Sequence, residues 1–188
     1  MHPINETELI QAHKRGNTEA FNDLVKRHLQ PVYRYLFRLT QDVSTAEDLT
    51  QETFLKAWKN FWRFDQKRPF KTWLFTIARN TAFDYFKKKK PLTFSELEKE
   101  EGIEFSETIQ DERLRAPELM EQAERAADME NALAHVPLRS RSVLLLREAE
   151  DLTFQEISEV TKESINTVKS RYYRALELLR KSWDNLKK

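Results

Sequence analysis

Cysteine is absent from the 188-residue chain, which excludes a disulfide framework, a thiolate zinc site and a cysteine nucleophile. Only two glycines occur, too few for a phosphate-cradling Gly-rich loop or for the tight turns of a hairpin-rich sheet protein. The longest apolar run, Val143 to Leu146, has four residues, where a bilayer span needs roughly 20. Four histidines, His2, His13, His28 and His135, form no pair at metal-ligand spacing, and the chain has neither a Walker sequence nor a Gly-x-Ser-x-Gly elbow. An enzyme, a cofactor site, a metal site and a membrane-inserted segment are therefore not expected. With no signal-peptide core at its start, the chain is expected to be cytoplasmic.

Charge, by contrast, is abundant: charged residues make up 34% of the chain, against about 25% in a typical soluble protein. The net charge of +1 conceals a strong segregation. Eight bases between Gln66 and Lys90 face only Asp84; eleven acids between Ser95 and Glu124 face Lys99, Arg113 and Arg115; six bases between Thr161 and Lys181 face Glu163 and Glu177. Two basic blocks around an acidic one point to two nucleic-acid-facing units joined by an acidic connector.

The apolar period is helical. Phe21, Leu24, Val25, His28, Leu29, Val32, Tyr33, Leu36 and Phe37 recur at three- and four-residue steps behind a cap at Asn17 or Thr18, and Pro31 falls in the middle. Ser44 to Glu47 has capping-box spacing and predicts a helix from there to about Phe61. Phe64 to Pro69 reads as a loop before a helix over roughly Phe70 to Lys88, which Pro91 stops. From Leu92 to about Pro117 the period fades and a flexible linker is expected. Helical pattern resumes at Glu118, turns at Pro137, and continues through a capping box at Thr153 to Glu156 and a last helix capped by Ser164. The prediction is all-α: residues 1–91 form a first domain, 92–117 an acidic linker, and 118–188 a smaller domain.

Three patterns carry chemistry. A short helix, a turn at Thr161 to Glu163 and a longer helix have the dimensions of a helix-turn-helix, with Lys162 or Glu163 expected at the strained position that glycine often fills. On the last helix Ile165, Val168, Tyr172, Ala175, Leu176 and Leu179 have core spacing, whereas Asn166, Lys169, Ser170, Tyr173, Arg174 and Glu177 share the opposite side. Lys169, Ser170 and Arg174 are the expected readers of a major groove. On the helix after Ser44, Ala46, Leu49, Thr53 and Ala57 make a packing stripe, while Asp48, Gln51, Glu52 and Leu55 make an acidic face with an exposed leucine, fit for a basic helical partner. Finally, aromatic residues from Phe61 to Phe86 interleave with Lys67, Arg68, Lys71 and Arg79, as in single-strand binding. Asn80 is the amide expected to meet an extruded base.

The strings AEDLTQETFLKAW at 46–58, FKTWLFTIARN at 70–80 and NTVKSRYYRA at 166–175 resemble the extracytoplasmic-function (group 4) sigma factors of bacterial RNA polymerase. The resemblance implies that Asp48, Gln51, Glu52 and Leu55 dock on the clamp helices of the largest polymerase subunit, and that the C-terminal domain meets the flap. It further implies that the loop at Phe64 and Lys67, with Lys71, Arg79 and Asn80, captures and contacts the melted −10 strand. Thr167, Lys169, Ser170, Arg171, Tyr173 and Arg174 then read the −35 duplex, and an anti-sigma protein is an expected partner. A self-sufficient helix-turn-helix regulator is the rival reading, which leaves the face from Asp48 to Leu55 without a purpose.

Overall fold

The structure, a computed structural model, describes residues 5–89 and 127–186, all of whose regular elements are helical. The expected linker lies outside the described residues. In chain order the helices are α1 (Glu6–Lys14), α2 (Thr18–Thr40), α3 (Val43–Asn60), a 3-10 turn (Phe61–Arg63), α4 (Phe70–Lys89), α5 (127–134), α6 (Leu138–Glu148), α7 (Phe154–Thr161) and α8 (Ile165–Leu186).

Helix starts follow capping chemistry. Asn5 opens α1 with a capping box to Glu8, and Asn17 accepts the N–H groups of Glu19 and Ala20 at the start of α2. Helix α1 has no counterpart in the sequence prediction, because only Leu9 and Ile10 of its residues are buried and two apolar positions make no period. Helix α2 continues through Pro31, which has no N–H to give to the carbonyl four residues back. For α3 the prediction needs correction: the cap is Asp42, whose carboxylate accepts Thr45 N–H at 2.7 Å, and the helix begins at Val43 instead of after Ser44. Hydrogen bonding from Thr45, its side chain first and its N–H second, holds the Asp42 carboxyl below its usual range.

The first domain packs α1 to α4 around Leu24, Val32, Leu36, Leu74 and Phe75; the second packs α5 to α8 around Val136, Leu146, Ile157, Val168 and Ala175. The two domains also touch each other, α2 against α6 and α4 against α7. At the centre of this joint the Tyr35 hydroxyl meets Ser142 Oγ at 2.7 Å, with both side chains buried and the Tyr35 ring edge-on to Phe75 at 5.3 Å. Burial pushes the Tyr35 phenol up to about 12. Arg141 ties the same joint, donating to the carbonyls of Ala134 and Val136 and, across it, to those of Arg38 and Leu39 near the end of α2. Arg38 Nε reaches Glu130 at 2.8 Å.

Candidate docking and nucleic-acid interfaces

The turn between α7 and α8 is built locally. The Thr153 capping box starts α7, and Lys162 ends it at φ 58° in the left-handed region, the strained position expected from the sequence. Ser158 Oγ donates to the Glu163 carbonyl at 2.6 Å, and Ser164 Oγ accepts Thr167 N–H at 3.1 Å to cap α8. These bonds fix the angle at which α8 leaves α7. Val168 and Ala175 are buried on the inner side of α8, whereas Ile165, expected there, is exposed, because it sits in the first turn ahead of the packed stretch. Outward stand Asn166, Thr167, Lys169, Ser170, Tyr173 and Arg174, with Tyr173 62% exposed. An open depression of about 420 Å³ runs between this face and Ser140. Arg171 differs from its neighbours: its Nε lies 2.9 Å from Glu163, which Arg139 also approaches at 3.5 Å, so its guanidinium braces the turn.

On α3 the two faces separate as the spacing predicts. Ala46, Leu49, Thr53 and Ala57 are buried, while Asp48, Gln51, Glu52 and Leu55 are exposed. Thr50 and Thr53 satisfy their hydroxyls on the carbonyls four residues back, which lets polar residues line a packed face. Lys56 pairs with Glu52 at 2.8 Å and donates to Thr81 on α4 at 3.1 Å, tethering the acidic face to the helix beneath.

The loop and α4 depart most from expectation. Phe64 is not a solvent-facing ring: it is 2% exposed, edge-on to Phe70 at 5.5 Å and tilted against Trp73 at 5.0 Å. The aromatic cluster gains more by burying it than the loop would by displaying it. Arg79 is buried as well, its guanidinium 4.1 Å from the Phe83 ring centroid, and burial pushes it below its ordinary value. It faces the joint between the domains and not solvent. Lys71 is half-buried and held by the second domain, donating to the Glu150 carbonyl at 2.6 Å and pairing with the Glu150 carboxylate at 3.0 Å. Thr72 beside it donates to Glu156 at 3.3 Å. Asn80, Lys67 and Arg68 remain exposed. Asp65 shapes the loop by accepting Lys67 N–H on its side chain and Arg68 N–H on its carbonyl. Glu150 and Arg141, which organise the joint, had no motif in the sequence to mark them.

A helix-turn-helix with a basic outward face, joined to a helical domain with an acidic outward face, is the architecture of a two-part DNA-binding transcription factor. Two family models match, Sigma-70 region 2 over residues 24–91 and Sigma-70, region 4 over residues 126–179. The chain is 31% identical to the ECF RNA polymerase sigma factor SigW of Bacillus subtilis (strain 168) over 179 residues, covering 94% of this chain and 96% of that one. It is 33% identical to RNA polymerase sigma factor SigV of the same organism, covering 81% and 84% of the two chains. The fold is shared with the Bartonella quintana sigma factor RpoE, solved with the anti-sigma factor NepR (TM-score 0.68, 24% identity, 89% of this chain and 98% of that one). It is likewise shared with CnrH, solved with the cytosolic domain of CnrY (TM-score 0.66, 24% identity, 94% and 96%). The chain belongs to the extracytoplasmic-function family of RNA polymerase sigma factors. It binds core RNA polymerase and promoter DNA and directs promoter-specific initiation.

Proposed function

We propose that the chain reads a promoter at two places from two modules, residues 1–91 and 118–188, joined through 92–117. Asp48, Gln51, Glu52 and Leu55 dock on the clamp helices of core polymerase, and the second module meets the flap. Thr167, Lys169, Ser170, Tyr173 and Arg174 read the −35 duplex, each good bidentate base contact being worth about 1–3 kcal/mol. Arg171 supports that helix through Glu163 and does not itself read bases. Asn80 and Lys67 capture the opened −10 strand, and Lys71 joins them once it leaves Glu150. The factor acts in the cytoplasm, has no catalytic step of its own, and is held inactive by an anti-sigma protein, as its fold-mates RpoE and CnrH were solved with partners of that kind or with a partner's cytosolic domain.

The observation that carries this reading is the engagement of Lys71 and Thr72 by Glu150 and Glu156. It supports a resting form in which one promoter-reading helix is covered by the domain that carries the other. Polymerase, by docking the two modules apart, would then uncover the start of α4 beside the already exposed reading face of α8.

Run-off transcription with core polymerase on a genomic library identifies the promoter, and Asn80→Ala then tests strand capture. The variant is expected to lose far more activity on the duplex promoter than on one premelted by mismatches across the −10 segment, because premelting removes the unstacking cost of a few kcal/mol. Equal activity of wild type and variant on both templates would remove Asn80 from the mechanism.

A further inference from the structure

We infer that Trp62 is a stacking platform for an unpaired base of the opened promoter strand, an inference that rests on the strand-capture reading above. Trp62 lies in the 3-10 turn between α3 and the Phe64–Pro69 loop and is 72% exposed, more than any other large hydrophobic side chain among the described residues. The ring expected to serve a base, Phe64, is buried in the aromatic cluster, so the indole two positions earlier is the aromatic surface left at the loop.

Its surroundings are cationic. The Arg63 guanidinium lies 4.6 Å from the Trp62 ring centroid, and exposed Lys59, Lys67 and Arg68 flank it in sequence. Lys14 donates to the Phe64 carbonyl at 2.9 Å, which brings the end of α1, with exposed Arg15, to the same turn. The one acid of the loop, Asp65, already accepts the Lys67 N–H. Phosphates are therefore attracted where a ring face is presented, the combination that holds single strands. Docking of a protein onto an apolar stripe fits less well. Leu55, Trp58 and Trp62 follow one another at helical steps, but Trp58, 42% exposed, rests part of its ring on His13 and Phe21, both at 5.0 Å, and the cations around Trp62 match a phosphate backbone better than an apolar partner. Trp62 also stays exposed while Lys71 is engaged by Glu150, so it is available for an early contact.

The test compares holoenzyme binding to a labelled mixed-sequence single-stranded 12-mer and to an abasic strand of equal length and charge. Trp62→Ala is expected to lose about tenfold on the base-containing strand and nothing on the abasic one, with an unchanged salt slope, and Trp62→Phe to retain most of the affinity. An unaltered affinity of Trp62→Ala for the base-containing strand, while Asn80→Ala loses affinity, would overturn the inference and leave strand capture standing. Failure of the wild-type holoenzyme to distinguish the two strands would overturn both. If Trp62→Ala instead weakened assembly with core polymerase and left strand binding intact, the indole would belong to a protein interface.

Discussion

Lys71 on α4 and Glu150 after α6 meet across 79 positions of sequence, the ammonium 2.6 Å from the Glu150 carbonyl and 3.0 Å from its carboxylate. The carboxylate is 5% exposed, so the pair closes the joint between the two domains with one partner out of water. A cation proposed above to contact the promoter strand is thereby engaged by the protein itself.

Replacing Glu150 by Ala leaves only the backbone carbonyl for Lys71 and should cost about 1–3 kcal/mol of the closed arrangement. Small-angle scattering is expected to report a larger radius of gyration, and the free chain should bind DNA more tightly. Unchanged dimensions and unchanged DNA affinity would mean that this pair does not hold the domains together.

The buried Tyr35–Ser142 bond gives a second handle on the joint. Tyr35→Phe or Ser142→Ala alone strands one buried hydroxyl, at about 1–3 kcal/mol, whereas the double variant removes both and should recover part of that loss. Denaturant unfolding of the four proteins measures the coupling. Strict additivity would show that the two hydroxyls do not depend on each other.

Gln51→Ala combined with Glu52→Lys should weaken assembly with core polymerase by at least about tenfold, the loss of a hot-spot contact, while the melting temperature barely moves. Both positions lie on the exposed side of α3, away from the stripe of Ala46, Leu49, Thr53 and Ala57. Undiminished affinity for core polymerase would assign that docking to another surface.

The basic residues of α8 should separate into two kinds. Lys169→Ala and Arg174→Ala are expected to lower promoter binding with little loss of stability; a lost phosphate contact reduces the salt slope by about one, and a lost base contact relaxes the −35 preference. Arg171→Ala, which leaves Glu163 the longer 3.5 Å contact with Arg139, should instead lower the melting temperature, since the turn loses its closer brace. If Arg171→Ala altered −35 preference without changing the melt, its guanidinium would be a reader after all.

Much of this architecture was legible because helices declare themselves locally. The alternation of buried Val168 and Ala175 with exposed Lys169, Ser170 and Tyr173 is a property of one segment, as is the left-handed Lys162 in a turn without glycine. Asp42 was missed as the cap of α3 because Ser44 to Glu47 offers the same spacing, and only the backbone decides between them. Phe64 and Arg79 are buried where exposure is expected for a different reason. A basic or aromatic residue beside a loop has the same pattern whether it faces water or a neighbouring element: Phe64 is covered from within its own domain by Phe70 and Trp73, and Arg79 faces a joint whose contacts, such as Thr72 to Glu156, span 84 positions. Nothing periodic in either segment encodes that distance.

Arg141 has a consequence for how the closed form is released. Its guanidinium is shared among carbonyls of α2, of the end of α5 and of the turn before α6. A guanidinium keeps its proton at any pH a cell tolerates, so neither acid nor alkali loosens this clasp by discharging it. Release requires water to take over two carbonyls of α2 as the helices part. The barrier is then one of hydration and geometry, and in the proposed release it would respond to a binding partner that levers the domains apart.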